Sequence, residues 1–124
     1  MNFVLWLVAG VLAAAFADTG SLKLTQSNQA LCARGMIWTE DFSPAAVKFI
    51  SVAEVAGALG VILPALLHVA PALVPVAAAA LAVVTAGAVL VHLRRKEGVD
   101  AVPAVVLGLL AVFLAWGRFG PYAF

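Results

Sequence analysis

Residues 48–64 read Lys48-Phe-Ile-Ser-Val-Ala-Glu54-Val-Ala-Gly57-Ala-Leu-Gly60-Val-Ile-Leu-Pro64, a run apolar enough to span a bilayer that nevertheless carries a glutamate well inside. A carboxylate in hydrocarbon costs roughly 2.5–3.5 kcal/mol on insertion scales, so such a group normally faces protein, water or a ligand. We therefore expect Glu54 to point inward. Gly57 and Gly60 follow at helical spacing and leave a smooth strip beside the acid, where another helix or a flat ligand can approach closely.

The composition of the chain indicates an integral membrane protein. Its 124 residues are 65% hydrophobic and 10% charged, which is far outside the range of soluble domains. Because each spanning helix needs about 20 mainly apolar residues, this length predicts an all-α membrane protein, an antiparallel four-helix transmembrane bundle, with no room for a soluble catalytic domain. A net charge of +1 gives no electrostatic basis for binding nucleic acid.

Four apolar segments divide the chain, which we interpret as a single domain over residues 1–124. The predicted helices cover about residues 2–23, 44–67, 72–93 and 102–117. The first segment has a rival interpretation as a secretory signal, because Ala15-Phe16-Ala17 resembles a peptidase site. No basic residue precedes the apolar run, so we favour a retained helix. Ser43-Pro44 has the form of an N-cap followed by a first helical residue.

Residues 24–43 form the one long polar stretch of the sequence. Apolar residues scattered among its charges, including Met36 and Trp38, predict a short amphipathic lid between helices 1 and 2 at the headgroup level. Trp38, Glu40 and Asp41 are candidates to gate a pocket from this lid. The alternative is that Trp38 is an interfacial anchor and the acids are solvated.

The distribution of basic residues predicts the orientation in the membrane. Two loops that should lie on the same side hold Lys23, Arg34, Lys48, Arg94, Arg95 and Lys96, whereas the opposite side has Arg118. The positive-inside rule therefore places residues 23–44 and 94–101 in the cytoplasm and both termini outside. Arg118, with Trp116 and Tyr122, is interpreted as an anchor at the far interface, with binding of an anionic headgroup as the alternative.

Three titratable residues, Asp18, Glu54 and His92, are expected in the same half of the membrane. Asp18 lies roughly 7 Å inward of Lys23 along its helix, and Glu54 lies roughly 15 Å inward of Pro44. Our hypothesis is that the three form a catalytic, proton-handling site for a lipid-soluble ligand. The expected lining of this ligand pocket comprises Ser51, Gly57, Gly60, Thr85 and Trp38.

A purely structural role is the alternative for each titratable residue. Asp18 would then pair with Lys23, Glu54 would pair with Lys48 or another partner, and His92 would be an interfacial side chain. The helical phase argues against Lys48 as the partner, because six residues place it about 120° from Glu54 around the axis. The two histidines and the single Cys32 lack the spacing of a metal site, and one cysteine cannot form an internal disulfide.

Several stretches, taken together, resemble a known family. At Gly35–Ser43, Lys48–Pro64, His92–Arg95 and Trp116–Phe124 the chain resembles the DoxX-like family of small bacterial membrane proteins. The resemblance implies a four-helix membrane bundle and a link to quinone-dependent oxidation of sulfur compounds and to membrane redox complexes. It also assigns Glu54, Gly57 and Gly60 to the motif of the second helix and His92 to the motif that closes the third. The acid in Phe16-Ala-Asp18-Thr-Gly20 departs from that resemblance and suggests added acid/base capacity.

Two functional classes follow. The first, which rests on the resemblance, is an accessory subunit of a quinone-linked membrane redox system that binds a partner oxidoreductase. The second is an autonomous acid/base enzyme, such as a hydrolase, isomerase or cyclase, acting on a hydrophobic small molecule; a small transporter or assembly factor is a weaker third. Quinone is the one cofactor that the resemblance implies. The expected partners are the lipid bilayer and a lipid-soluble small molecule, and a homo-oligomer is an alternative to a single copy of the chain.

Overall fold

The computed structural model describes the backbone of residues 1–124 and every side chain except that of Asp100. Its elements are α1 (Asn2–Thr25), α2 (Asn28–Ala33), a 3₁₀ turn (Ile37–Asp41), α3 (Pro44–Gly60), α4 (Leu63–Leu66), α5 (Leu73–Arg94) and α6 (Gly98–Phe119). Four segments are long and apolar enough to cross a membrane: Asn2–Thr25, Pro44–Leu66, Leu73–Arg94 and Ala101–Phe119. The predicted all-α membrane protein with four spanning segments is confirmed, while the antiparallel order of the helices stays a prediction.

The four long helices pack in a closed ring, since α1 contacts α3, α3 contacts α5, α5 contacts α6, and α6 returns to α1. The centre of the ring is filled by fully buried leucines, Leu5 and Leu12 from α1, Leu81 from α5 and Leu114 from α6. Many large apolar side chains remain exposed around the outside. Such an inverted distribution is costly in water and suits a protein whose solvent is lipid.

The glycine strip of α3 is a helix-packing surface. A Cβ atom on Gly57 would lie 2.5 Å from Leu81 Cδ2, and one on Gly60 would lie 2.7 Å from the Cβ of Ala77. Of the two partners expected for this strip, a helix or a flat ligand, the structure therefore shows the helix α5. Small residues let membrane helices approach closely and gain dispersion contacts, which is the role these glycines have here.

The second predicted helix is interrupted near its end. Helix α3 ends at Gly60, and α4 begins at Leu63 after a turn, whereas the sequence predicts a continuous helix to about residue 67. The reason is Pro64, which has no N–H to donate and whose ring would clash with the carbonyl four residues back, at Gly60. The last helix begins at Gly98 instead of about 102 and accommodates Pro103 within it.

Side chains cap the start of α3 and the end of α1. Ser43 Oγ accepts a hydrogen bond from the N–H of Ala46 at 3.1 Å, with Pro44 as the first helical residue, which confirms the predicted N-cap of α3. At the end of α1, Lys48 Nζ donates to the carbonyl oxygens of Lys23 (2.8 Å), Leu24 (2.8 Å) and Gln26 (2.7 Å). Lys48 thus satisfies carbonyls that a helix leaves unpaired and joins α3 to α1.

Candidate functional site

The polar centre of the bundle is an ion pair between Lys23 of α1 and Glu54 of α3. Lys23 Nζ contacts Glu54 Oε1, and the Thr19 hydroxyl shares its one proton between Glu54 Oε2 (3.1 Å) and the carbonyl oxygen of Ala15 (3.0 Å). The exposed fraction of the Lys23 side chain is 9% and that of Glu54 is 4%, so both charges are largely removed from solvent. Each carboxylate oxygen of Glu54 has a partner, which is the condition for keeping a charge at such a depth.

Local sequence brings these groups together. Thr19 and Lys23 are one turn apart, so they lie on the same face of α1. Gly20 lies between them, and a Cβ atom there would be 2.9 Å from Val55 Cγ2 and 3.2 Å from the Cβ of Glu54. The missing side chain lets α1 and α3 approach closely enough for Lys23 to reach Glu54.

A pocket of about 290 Å³ opens beside the ion pair. Polar groups of Lys23, Glu54 and His92 face it within walls that are mostly apolar; the rest of the lining is Phe16, Thr19, Gly35, Met36, Trp38, Thr85, Pro103, Ala104 and Leu107. A second cavity of about 250 Å³ also reaches Lys23, Trp38 and Glu54, from the side of α5. The ion pair therefore borders two cavities.

Trp38 covers this site from the segment between α1 and α3. Its ring centroid lies 5.3 Å from Lys23 Nζ, a cation–π distance, and it packs edge-on against Phe42 at 5.6 Å. The segment is held in shape by Asn28, whose Nδ2 donates to the carbonyl oxygens of Thr39 (3.2 Å) and Phe42 (3.0 Å). The predicted lid is thus present as α2 and the 3₁₀ turn, and its indole is part of the site.

Arg95, at the end of α5, ties the lid to the rest of the bundle. Its Nη2 lies 3.0 Å from Glu40 Oε1, its Nη1 contacts Asp41 Oδ2, and its Nε lies 3.2 Å from Glu97 Oε1. Hydrogen bonds to Asp41 and then Glu40 raise the pKa of Arg95 above its usual range, so the guanidinium keeps its charge. Glu40 and Asp41 are therefore bound to Arg95 and are not simply solvated acids.

His92 connects the pocket with this ionic cluster. It lines the pocket, and its Nδ1 lies 3.3 Å from Glu97 Oε1, the carboxylate that also contacts Arg95. The polar groups therefore extend from the buried ion pair, through the pocket, to charged residues at the end of the bundle.

The structure brings together four of the residues predicted for the site and leaves four outside it. Glu54, His92, Thr85 and Trp38 line the pocket. Asp18 is exposed on α1 and is not part of the lining, so the expected cluster of three titratable residues is wrong on that point.

The other three residues serve packing. Ser51 is fully buried, and its Oγ donates to the carbonyl oxygen of Val47 at 2.7 Å, so the hydroxyl is used within α3. Gly57 and Gly60 are covered by α5, as described above. The expectation that these three residues line the ligand pocket is therefore corrected.

Two structural alternatives are also wrong. Lys48 does not pair with Glu54, because its ammonium caps the end of α1. Asp18 does not pair with Lys23, whose partner is Glu54. The buried carboxylate is indeed paired, but with a residue of a neighbouring helix.

Lys23 and Thr19 are the site residues that sequence reasoning missed. The predicted first helix ends at about residue 23, which assigns Lys23 to the helix end, although a lysine side chain is long enough to reach back along an apolar surface. Helical phase contained the useful signal. Asp18 and Lys23 lie about 140° apart around the axis whereas Thr19 and Lys23 lie about 40° apart, so Asp18 and Lys23 could not both face the same interior.

The chemistry available here is proton transfer and hydrogen bonding. Lys23 has N–H donors beyond the one used on Glu54, and the carboxylate can accept a proton or a hydrogen bond. Among the side chains that the structure describes, no group of three or more histidine, cysteine, aspartate or glutamate residues lies together in a way that could hold a metal ion.

Comparison with known proteins gives a family assignment. No curated protein and no solved structure gives a significant match. The family model described as the DoxX-like family matches residues 7–114 of this 124-residue chain. The match includes the ion pair, the lid and His92, and it confirms the resemblance seen in the sequence. This small protein, with four segments suited to crossing a membrane, belongs to the DoxX-like family.

Proposed function

We propose that the pocket beside Lys23 and Glu54 binds the carbonyl-bearing ring of a lipid-soluble molecule such as a quinone, and that the protein serves as an accessory subunit of a quinone-linked membrane redox system. The observation that supports this proposal is a buried, hydrogen-bonded ion pair facing a mostly apolar pocket. Helix packing does not require a cavity beside a buried charge. Binding of a ligand that has polar oxygens on an apolar ring does require one.

The lining suits a flat ring with carbonyl oxygens. Lys23 offers N–H donors to a carbonyl, and Phe16 and Trp38 offer aromatic surfaces. The volume of about 290 Å³ is at the lower end of ligand pockets, which run to roughly 300–1,000 Å³. The pocket would therefore accept a head group and leave a long hydrocarbon tail outside.

A groove between α5 and α6 provides a place for such a tail. This groove is a third cavity, of about 320 Å³ and mostly apolar, which shares Thr85 and Ala104 with the pocket and continues along Val105, Leu109 and Val112. Several of these side chains are exposed on the outer surface of the bundle. A ligand dissolved in the bilayer could therefore enter sideways, with its ring leading.

The residues of the site have separable roles. A bound quinone supplies reversible uptake of two electrons and two protons. Glu54 would hold or accept a proton, Lys23 would donate a hydrogen bond and neutralise developing negative charge, and His92 with Glu97 would exchange protons with the end of the bundle. The electrons would come from a partner oxidoreductase, because the sequence has no haem-binding or nucleotide-binding motif and only one cysteine.

A second candidate is an autonomous acid/base enzyme acting on a hydrophobic small molecule. It is favoured by one observation, that a donor, Lys23, and an acceptor, Glu54, face the same pocket. The two candidates differ in what the isolated protein does. Turnover of a hydrophobic substrate without any partner would favour the enzyme, whereas quinone binding without turnover favours the accessory subunit.

The test measures quinone binding by the purified protein in lipid nanodiscs. A short-chain quinone is added, and binding is detected as quenching of tryptophan fluorescence. We expect Glu54→Gln and Lys23→Met to weaken binding at least about tenfold, a loss of about 1.4 kcal/mol. The control is Asp18→Asn, which removes an acid that lies on α1 with Lys23 but outside the pocket. This variant should bind quinone as the wild type does. Trp38→Phe should remove most of the quenching.

Two results would contradict the proposal. One is wild-type affinity in both Glu54→Gln and Lys23→Met. The other is an equal loss of binding in the Asp18→Asn control, since that would indicate a general effect of charge on the protein and not a local site.

A further inference from the structure

The opposite end of the bundle contains a buried cation, Arg118, for which the side chains that the structure describes provide no anionic partner. Arg118 is 4% exposed, and none of the ion pairs formed by the described side chains includes it. Along α6 the nearest acid in sequence is Asp100, about 27 Å away at 1.5 Å per residue. Burying a charge costs free energy unless the charge is paired, so an anion from outside the chain would stabilise this residue.

The hydrogen bonds of Arg118 leave one edge of the guanidinium free. Its Nη1 donates to Asn2 Oδ1 at 2.6 Å and to the carbonyl oxygen of Tyr122 at 2.9 Å. Its Nε is buried and has no hydrogen-bond partner, and Nη2 makes no hydrogen bond to any residue that the structure describes. Nε and Nη2 together form the fork with which arginine binds two oxygens of a phosphate or carboxylate.

A cavity adjoins this guanidinium. It measures about 330 Å³ and is lined by Arg118, Phe124 and small residues of the turn before α5, among them Ala70 and Ala72. The ring of Phe124 stacks over the guanidinium with its centroid 4.0 Å from Cζ, which holds the group in place from one face. The cationic side chain is thus fixed by three neighbours, and the cavity that it lines offers space for a ligand.

The surrounding residues indicate where in the membrane this site lies. Trp116 and Tyr122 are in edge contact at 6.3 Å and are partly exposed, and Trp6 lies near Phe124. Tryptophan and tyrosine concentrate at the headgroup level of a bilayer. These neighbours indicate that the buried guanidinium of Arg118 lies near the level of the lipid phosphates.

We propose that the cavity at Arg118 is a binding site for a phosphate oxyanion, carried by the headgroup of an anionic phospholipid or supplied as free phosphate. Nη1 positions the guanidinium through Asn2 and Tyr122, and the Nε–Nη2 edge binds two phosphate oxygens. The site is independent of the Lys23–Glu54 pocket.

The experiment measures lipid retention by native mass spectrometry of the full chain, with phosphatidylglycerol or phosphatidylcholine added in detergent. The wild type should retain phosphatidylglycerol at least about tenfold better than phosphatidylcholine, because the excess negative charge offsets an unpaired cation. Arg118→Gln should abolish this preference. Arg118→Lys, which keeps the charge but lacks the fork, should weaken retention about tenfold. Arg94→Gln, an exposed cation at the other end of the bundle, is the matched control and should change nothing.

A second variant covers the case in which Arg118→Gln fails to fold. Ala72 is exposed at the cavity, so Ala72→Phe should fill the space with Arg118 intact and should also reduce retention. Displacement of the lipid by millimolar inorganic phosphate would support the oxyanion site with free phosphate as a ligand, and resistance to displacement would support the lipid source. Undiminished retention in Arg118→Gln, or in both Arg118→Lys and Ala72→Phe, would overturn the proposal.

Discussion

At the scale of single residues, the position of Lys23 and of Glu54 along its helix determines how much stability is lost when the other member of the ion pair is removed. Lys23 lies two residues before the end of α1, and its long side chain can extend to the headgroup level if its partner is lost. Glu54 lies inside α3 and is too short to do the same. The two members of the pair should therefore differ in the cost of losing the other.

This asymmetry gives a prediction for protein stability. Lys23→Met leaves the Glu54 carboxylate buried with Thr19 as its remaining partner and should lower the free energy of unfolding by about 3 kcal/mol, the range for breaking a buried ion pair. Glu54→Gln should cost less, about 1 kcal/mol, because Lys23 can move outward. The double variant should be more stable than Lys23→Met alone.

These values can be measured by unfolding in mixed detergent micelles, with Asp18→Asn as a control that should stay near the wild type. Equal costs for the two single variants would contradict the asymmetry. Strictly additive costs in the double variant would mean that the two side chains do not interact.

At the scale of helices, the site depends on how closely α1 approaches α3. Gly20 is buried in that interface and meets Ser51 O as well as Val55, so its neighbours include backbone that cannot move aside. Gly10 lies on the same helix, and a Cβ atom there would have nothing within 4 Å. The two glycines form a natural pair for comparing packing with helix propensity.

Gly20→Ala should lower the free energy of unfolding by about 1–3 kcal/mol, as overpacking commonly does. It should also weaken ligand binding, because α1 would be displaced from Glu54. Gly10→Ala should be neutral or stabilising by roughly 0.5–1 kcal/mol, since alanine is the better helix former. The same unfolding and fluorescence measurements apply. A Gly20→Ala protein as stable as Gly10→Ala would show that the interface can relax and that close approach is not what holds the pair together.

At the scale of the whole molecule, the sequence predicts the spanning helices well and the arrangement of polar groups only in part. The helices follow from long apolar runs and from the Ser43-Pro44 start of α3, which are local properties. The inward orientation of Glu54 follows from the cost of a charge in lipid. Its partner is a residue of another helix, Lys23, and that contact depends on a close approach at Gly20 that no single segment encodes.

The orientation of the whole bundle in the membrane can be argued from the end that the charges share. The lid and the end of α5 lie together, since Arg95 contacts Glu40 and Asp41. Six of the seven lysines and arginines lie in or beside the lid and the end of α5, and the seventh is Arg118. The positive-inside rule then predicts that this end is cytoplasmic. Val99 and Val69 are 85% and 63% exposed, near the two opposite ends, and give a matched pair of valine-to-cysteine variants in a Cys32→Ser background.

In bacterial spheroplasts, a membrane-impermeant maleimide should label Val69→Cys directly and Val99→Cys only after permeabilisation. The physical reason is that the cluster of lysines and arginines beside Val99 resists translocation, whereas Arg118 alone is too weak a charge to oppose it. The reverse labelling pattern would place the lid and the ion-pair pocket nearest the outer face, and protons for Glu54 and His92 would then be exchanged with the exterior. Equal labelling of both positions would mean that the charge bias does not fix one orientation, and the predicted topology would be wrong.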